Sequence, residues 1–229
     1  SVAANHCFKH ASGKYVAMLS SDDVWYPQKL KTQVDYLDNN QDISAVFSRV
    51  QWIDKFGNAL TKNECPHIEI FNVRNRTRHE WLNQFFYRTN VLCHPSSLIQ
   101  KTVLDEMGYL NPFFANLPDL DLWVRLCLNH EIHVLNDKLI KFRYFKEQSN
   151  ASGDTENGMA RFSYEYRKIL DNYLKLDDLD DFFKVFPNTY FTKDQLKPED
   201  IPFLLGRLAI ETGEELKINW GLDTLYHYL

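Results

Sequence analysis

The sequence predicts an α/β fold, with strands and helices alternating in residues 1–150 and an all-helical region in 151–229. Three observations predict it. An apolar run, Tyr15-Val16-Ala17-Met18-Leu19, is bounded by Gly13 on one side and Asp22-Asp23 on the other, the pattern of a short strand buried on both faces. Strand-like and helix-like stretches then alternate as far as Tyr144. Beyond the polar stretch Ser149–Asp154 only the helical period remains.

Each element has a local reason. Residues 3–11 read as a helix stopped by Gly13, leading into a strand at 15–19. Pro27 suits a first helical turn, and Leu30, Val34 and Leu37 form an apolar stripe on the helix that follows. A strand is predicted at 44–53, a turn at Asp54–Asn58, and a short strand at His67–Phe71. Trp81, Leu82, Phe85 and Phe86 give a helix at 78–87 an inward face, and a strand at 96–100 carries Ser97-Leu98-Ile99. A helix at 101–107 ends at Gly108, which suits a left-handed position. The helix 119–129 packs through Leu120, Trp123, Val124 and Cys127, and two strands follow at 131–135 and 139–144.

In the tail, Met159, Phe162, Tyr166, Ile169, Leu170 and Tyr173 share one face of a helix at 157–175. The acidic run Asp177–Asp181 reads as a solvated connection. A helix at 199–211 opens at Pro198-Glu199-Asp200, and Thr212-x-x-Glu215 has capping-box spacing for a last helix. The tail is either a packing appendage or a platform for a partner or acceptor.

Composition narrows the function. A chain of 229 residues with 44% apolar residues can bury a substantial core. A net charge of −5 argues against a nucleic-acid partner, which calls for a basic surface. No apolar run is long enough for a transmembrane helix, and no signal peptide is visible. Cys7, Cys65, Cys93 and Cys127 lack metal or disulfide spacing and read as reduced thiols. Asn75-Arg76-Thr77 and Asn150-Ala151-Ser152 match the glycosylation sequon and would be idle in a cytosolic chain.

Asp22 and Asp23 carry the first chemical reading. Acids at the carboxyl end of an interior strand lie where open α/β sheets bind ligands. A hard cation such as Mn²⁺ or Mg²⁺ takes one or two carboxylates and completes its shell with water and phosphate. The same two residues also suit the cap of the next helix, and local spacing leaves both roles open.

The pattern Asn5-x-x-x-x-x-Ala11-x-Gly13-x-Tyr15-Val16-x-x-Leu19-x-Ser21-Asp22-Asp23-x-Trp25-x-Pro27-x-x-Leu30 resembles the middle of a family 2 glycosyltransferase of the GT-A fold. The similarity continues at Asn90-Val91-Leu92-Cys93-His94-Pro95-Ser96-Ser97 and at Pro118-Asp119-Leu120-Asp121-Leu122-Trp123-Val124-Arg125-Leu126, ending near Arg143-Tyr144. Those blocks cover about the first two thirds of the chain.

The resemblance implies a Rossmann-like mixed sheet. Residues 1–150 are expected to form the C-terminal part of a GT-A domain and 151–229 a helical appendage. The chain opens on the helix before the acidic strand, so the nucleotide-binding β-α-β unit is expected to lie outside it and the piece to be inactive alone. The implied reaction is inverting transfer of a sugar from a nucleotide-diphosphate donor, UDP-linked in most relatives, to a hydroxyl of a glycan or lipid-linked acceptor. The implied setting is bacterial polysaccharide or glycoconjugate assembly, in the cytoplasm or peripherally at the inner face of the membrane.

The roles follow position by position. Asp22, with Asp23, would hold Mn²⁺ or Mg²⁺, although Ser20 stands where many relatives carry the first Asp of Asp-x-Asp. Asp119 takes the place of the catalytic base, with Pro118 replacing the usual Glu, and Asp121 is the second choice. The competing roles are a helix cap for Asp119 and an exposed i,i+4 ion pair for Asp121 with Arg125. His94 would donate to a phosphate or sugar oxygen, and Ser21, Trp123 and Arg125 complete the substrate-binding set. Trp25 and Trp123 could stack on sugar rings, though Trp123 also lies on the inward stripe. A lid is expected at Gln148–Ser152.

A second reading is a non-catalytic module that binds a glycan acceptor or docks a partner through its tail. Ser20 and the missing nucleotide unit favour it. A nucleotidyl- or phosphotransferase is a third, disfavoured by the lack of a Gly-rich phosphate loop.

Overall fold

The computed structural model describes residues 1–145 and 156–228. The loop at Ser149–Asp154, the lid at Gln148–Ser152 and the second sequon fall outside the described residues.

A mixed five-stranded sheet is flanked by helices on the described body. Its strands are β1 (Tyr15–Ala17), β2 (Val24–Trp25), β3 (Ile43–Ile53), β4 (Leu98–Gln100) and β5 (Glu131–Arg143), in the order β1-β4-β3-β5-β2. Only β3 and β5 pair in parallel. Their long central register explains the apolar run of β3, where Ala45, Val46, Phe47 and Val50 are fully buried.

Several expectations need correction here. The run at 15–19 is not buried on both faces: β1 stops at Ala17 on the sheet edge, only Val16 is buried, and Leu19 is 54% exposed. The two strands expected at 131–135 and 139–144 are one strand, β5, kept continuous by a register shift where Arg49 pairs with Lys138. His67–Phe71 forms turns instead of a strand. The two-residue β2 was not anticipated, being too short for periodicity to register.

The body's helices are α1 (Val2–His10), α2 (Lys29–Asn39), α3 (Arg78–Tyr87), α4 (Lys101–Met107) and α5 (Pro118–Asn129). In α3 the predicted face is buried, and Thr77 with Glu80 closes a reciprocal capping box. Gly108 ends α4 at a φ of 77°, a conformation that favours glycine. Helix α2 is rotated from its predicted phase. Leu30 is 44% exposed, whereas Lys29 and Gln33 are fully buried with Leu37. Lys29 Nζ donates to Gln33 Oε1 (2.6 Å) and Ser97 O (3.3 Å), and Gln33 Nε2 donates to Ser96 O (2.7 Å). Polar groups can be buried on this terms-of-partners basis, because their hydrogen bonds replace those to water.

The tail is built from α6 (Glu156–Leu170), a 3₁₀ turn at Asp171–Lys175, α7 (Leu179–Val185), α8 (Ile201–Glu211) and α9 (Glu215–Tyr228). The acidic run is not merely a connection. Asp178 accepts from the Asp181 amide (3.0 Å) and starts α7, which buries Leu179, Phe182 and Val185. Helices α8 and α9 cross at Gly206 and Gly221, where a Cβ on Gly221 would come within 2.6 Å of Gly206 O. Tyr166, Leu170, Tyr173, Phe182, Leu204 and Trp220 of the tail belong to the same apolar cluster as Phe47, Trp81 and Trp123 of the body. The tail therefore packs as part of one core.

Candidate functional site

The first part of the site is the turn between β1 and β2. Asp22 is exposed, and its carboxylate takes no partner among the described residues. Asp23 is 9% exposed and Oδ1 accepts the backbone N–H of Arg143 (2.9 Å). Arg143 clamps the turn further, donating from Nε to Asp22 O (2.7 Å) and from Nη1 to Asp54 O (2.6 Å). Neither acid caps α2, whose N-cap is Gln28 without a side-chain bond, so the capping alternative is excluded by geometry. Burial lifts Asp23 to about 6, with the nearby charge of Asp22 adding to the rise and the Arg143 amide opposing it.

Asp119 occupies the second position of α5. It is half-buried and is not the N-cap, which is Leu117. Oδ1 accepts from the Leu120 amide (2.8 Å) and Oδ2 from Asn90 Nδ2 (2.8 Å), so each oxygen keeps a lone pair for a further donor. Burial pushes the Asp119 carboxyl up and the neighbouring His94 imidazole down, each opposed by the charge of the other. His94 opens the 3₁₀ turn His94–Ser96, and its Nε2 is buried without a hydrogen-bond partner among the described residues.

Cys93 links the two halves. Its buried thiol is pushed up first by desolvation, and then by the negative charges of both Asp23 and Asp119, with Lys29 opposing. The two acids thus act on one side chain from within electrostatic reach. Lys29, itself drawn down to about 8 by burial, lies 4.5 Å from the centre of the Trp25 ring.

Other predicted site residues are placed elsewhere. Trp123 is fully buried between Phe47 (4.8 Å between ring centres) and His94 (5.4 Å), so it offers no face to a sugar. Asp121 and Arg125 form a buried pair, not an exposed one. Arg125 Nε donates to Asp121 Oδ2 (2.9 Å), and its other nitrogens donate to Met107 O, Gly108 O and Tyr109 O. Asn172 of the tail donates to Asp121 Oδ1 (3.1 Å). With these bonds made, Asp121 is not placed as a base and Arg125 is not placed as a substrate ligand. Ser21 is exposed on the turn beside Asp22. Asn75 of the first sequon accepts from the Val134 amide (2.9 Å), a structural use.

The donor set limits how a metal could bind. Among the described residues no group of three or more His, Cys, Asp or Glu side chains is arranged to hold one. A free carboxylate on Asp22 beside a partly engaged one on Asp23 instead fits a cation completed by phosphate oxygens and water. Asn90, Arg143 and Lys29 were missed as site residues. Asn90 and Arg143 stood inside the recognised blocks, and only their side-chain partners reveal their use.

Residues 1–108 match the family model described as glycosyl transferase family 2. An uncharacterized glycosyltransferase of Methanocaldococcus jannaschii is 28% identical over 140 residues, covering 61% of this chain and 45% of that protein. The Escherichia coli protein WfgD, a UDP-Glc:alpha-D-GlcNAc-diphosphoundecaprenol beta-1,3-glucosyltransferase, is 26% identical over 180 residues, covering 71% of this chain and 63% of WfgD. The chain thus spans less than two thirds of the length of these curated relatives. Among solved structures, S. aureus TarS 1-349 aligns with a TM-score of 0.55 at 17% identity, covering 96% of this chain and 66% of that one, a likeness of fold. Among the described residues no helix is long and apolar enough to cross a membrane.

Proposed function

We propose, from the match of residues 1–108 to the glycosyl transferase family 2 model, that this chain forms the metal and base side of an inverting glycosyltransferase site. The donor is a nucleotide-diphosphate sugar, and the acceptor is a hydroxyl of a glycan or lipid-linked glycan. The carrying observation is Asp119, half-buried beside His94, oriented by Asn90 and within electrostatic reach of the same Cys93 thiol as Asp23. The WfgD similarity supports a UDP-linked donor and a lipid-linked acceptor, in polysaccharide assembly at or near a membrane surface.

Chemically, Asp119 accepts the proton of the acceptor hydroxyl as that oxygen bonds to the anomeric carbon. The bond from that carbon to the diphosphate oxygen breaks, and its electron pair leaves with the diphosphate. One displacement with one base and no enzyme nucleophile inverts the anomeric centre. A carboxyl group whose pKa is raised toward the working pH is a more effective base than a free carboxylate. His94, held neutral by burial, directs an N–H to a sugar or phosphate oxygen. Mn²⁺ or Mg²⁺ bound by Asp22 and Asp23 would supply Lewis-acid neutralisation of the leaving diphosphate.

Binding tests this reading. Asp22→Ala should abolish Mn²⁺-dependent UDP binding in the intact protein, measured by calorimetry; unchanged binding would return the acidic turn to a structural role. A pH dependence follows from Asp23. A cation needs the ionised carboxylate, so Mn²⁺-dependent UDP affinity should fall as pH drops below about 6, by about tenfold per pH unit. Stability runs the other way. The raised pKa gives a contribution that is complete below the unfolded value and is lost as pH rises through about 6. A pH-independent affinity between 5 and 7 would remove Asp23 from the cation site.

A further inference from the structure

We propose that Glu165 and Tyr166, adjacent on tail helix α6, are positioning residues for Asp119, so that the tail sets the geometry of the base. The proposal rests on the role given to Asp119 above.

Glu165 is 1% exposed, yet it forms no ion pair among the described residues. Its Oε1 accepts the backbone N–H of Ala115 (2.8 Å), and Oε2 accepts those of Asn116 (2.9 Å) and Leu117 (2.8 Å). Those three residues run directly into α5, where Asp119 is the second residue. The stretch has no regular structure of its own to satisfy its amides, and Phe113 within the same loop is 88% exposed. A buried carboxylate that accepts three amides fixes both the path and the orientation of such a loop. Asn116 adds a second tie to α6 through Nδ2 to Gly158 O (3.0 Å).

Tyr166 holds the other approach. Its buried hydroxyl lies 2.7 Å from Phe85 O, 3.3 Å from Phe86 O and 3.2 Å from Arg88 O, at the C-terminal end of α3. Lys217 of α9 donates to Tyr87 O at the same end (3.2 Å). Two residues after Arg88 comes Asn90, the side chain that holds Asp119 Oδ2. Two neighbouring residues of one tail helix therefore grip the loop that carries the base and the segment that carries its orienting amide. A catalytic group needs this kind of supporting shell, because small misplacements remove much of the rate.

The test compares Glu165→Ala, Glu165→Gln and Tyr173→Phe in the intact protein, by steady-state kinetics and by NMR titration of His94. Tyr173 is the control, since its hydroxyl donates to Leu82 O (2.8 Å) in α3, away from the base. Glu165→Ala is expected to lower kcat about 100-fold with donor KM unchanged. His94 should titrate lower, in the same direction as in Asp119→Asn, because the nearby negative charge that raises it has moved. Glu165→Gln can keep two of the three amide bonds if its carbonyl takes the Oε2 position, so it should fall between wild type and Glu165→Ala. It also decides the matter if Glu165→Ala fails to fold. Tyr173→Phe should lose stability while keeping kcat and the His94 titration. Wild-type kcat and His94 titration in Glu165→Gln, or losses in Tyr173→Phe equal to those in the Glu165 variants, would overturn the proposal. Wild-type turnover in Asp119→Asn would instead remove the transfer mechanism, leaving the His94 titration to decide the positioning claim by itself.

Discussion

Replacing Asp119 by Asn should lower sugar transfer by about 100- to 10,000-fold in the intact protein, with UDP binding retained and the melting temperature lowered by only a few degrees, the loss of one hydrogen bond. The isosteric amide keeps its oxygen as acceptor for one of the two N–H groups that now bond Asp119, from Leu120 and Asn90, and turns an NH2 toward the other, so the shape is kept at the cost of one hydrogen bond. It removes the one property the mechanism requires, the capacity to take a proton from the acceptor hydroxyl. A variant with wild-type kcat would take Asp119 out of the chemistry and leave it as a buried acid at a helix start. A variant that lost UDP binding as well would place Asp119 in donor recognition.

Arg125→Ala should be the most destabilising of the substitutions considered. It leaves Asp121, 4% exposed, as a buried charge whose main counterion is gone. It also frees the carbonyls of Met107, Gly108 and Tyr109 that the guanidinium now bonds. Breaking one side of a buried pair costs about 3–5 kcal/mol, a fall of roughly 6–20 °C in Tm for a chain of this size, read by thermal unfolding. Replacing Asp121 and Arg125 together with apolar residues of similar volume should recover most of that loss. A surface-like effect well under 1 kcal/mol for Arg125→Ala would contradict the buried arrangement.

Much of this molecule could be read from its residues, and the failures share a cause. Helices α3 and α5 were legible because each buries the face that its own apolar spacing marks. Helix α2 was misphased because Lys29 and Gln33 turn inward to the carbonyls of Ser96 and Ser97, more than 60 residues away, and local hydropathy carries no trace of such partners. The acidic turn was found, but its confinement by Arg143 was not. The sequence leaves Trp123 as a sugar platform or as core, and the inward stripe it sits on is buried completely in the fold. Glu165 had no local signal at all, since its three partners lie 48 to 50 positions back along the chain. The base and the acidic pair were visible as residue types, while the side chains that aim them became visible only in three dimensions.

The central claim is that the Asp22-Asp23 turn and Asp119 line one cleft that takes a cation and a diphosphate. Mn²⁺ titrated with UDP, followed by paramagnetic broadening of NMR signals, tests it most directly. Signals from residues 20–24, the Arg143 amide, His94 and Leu120 should broaden first, and Asp22→Ala should suppress the effect at all of them together. Broadening that fell instead on the exposed acids Asp177, Asp178 and Asp180, or on the turn without His94 and Leu120, would contradict the shared cleft.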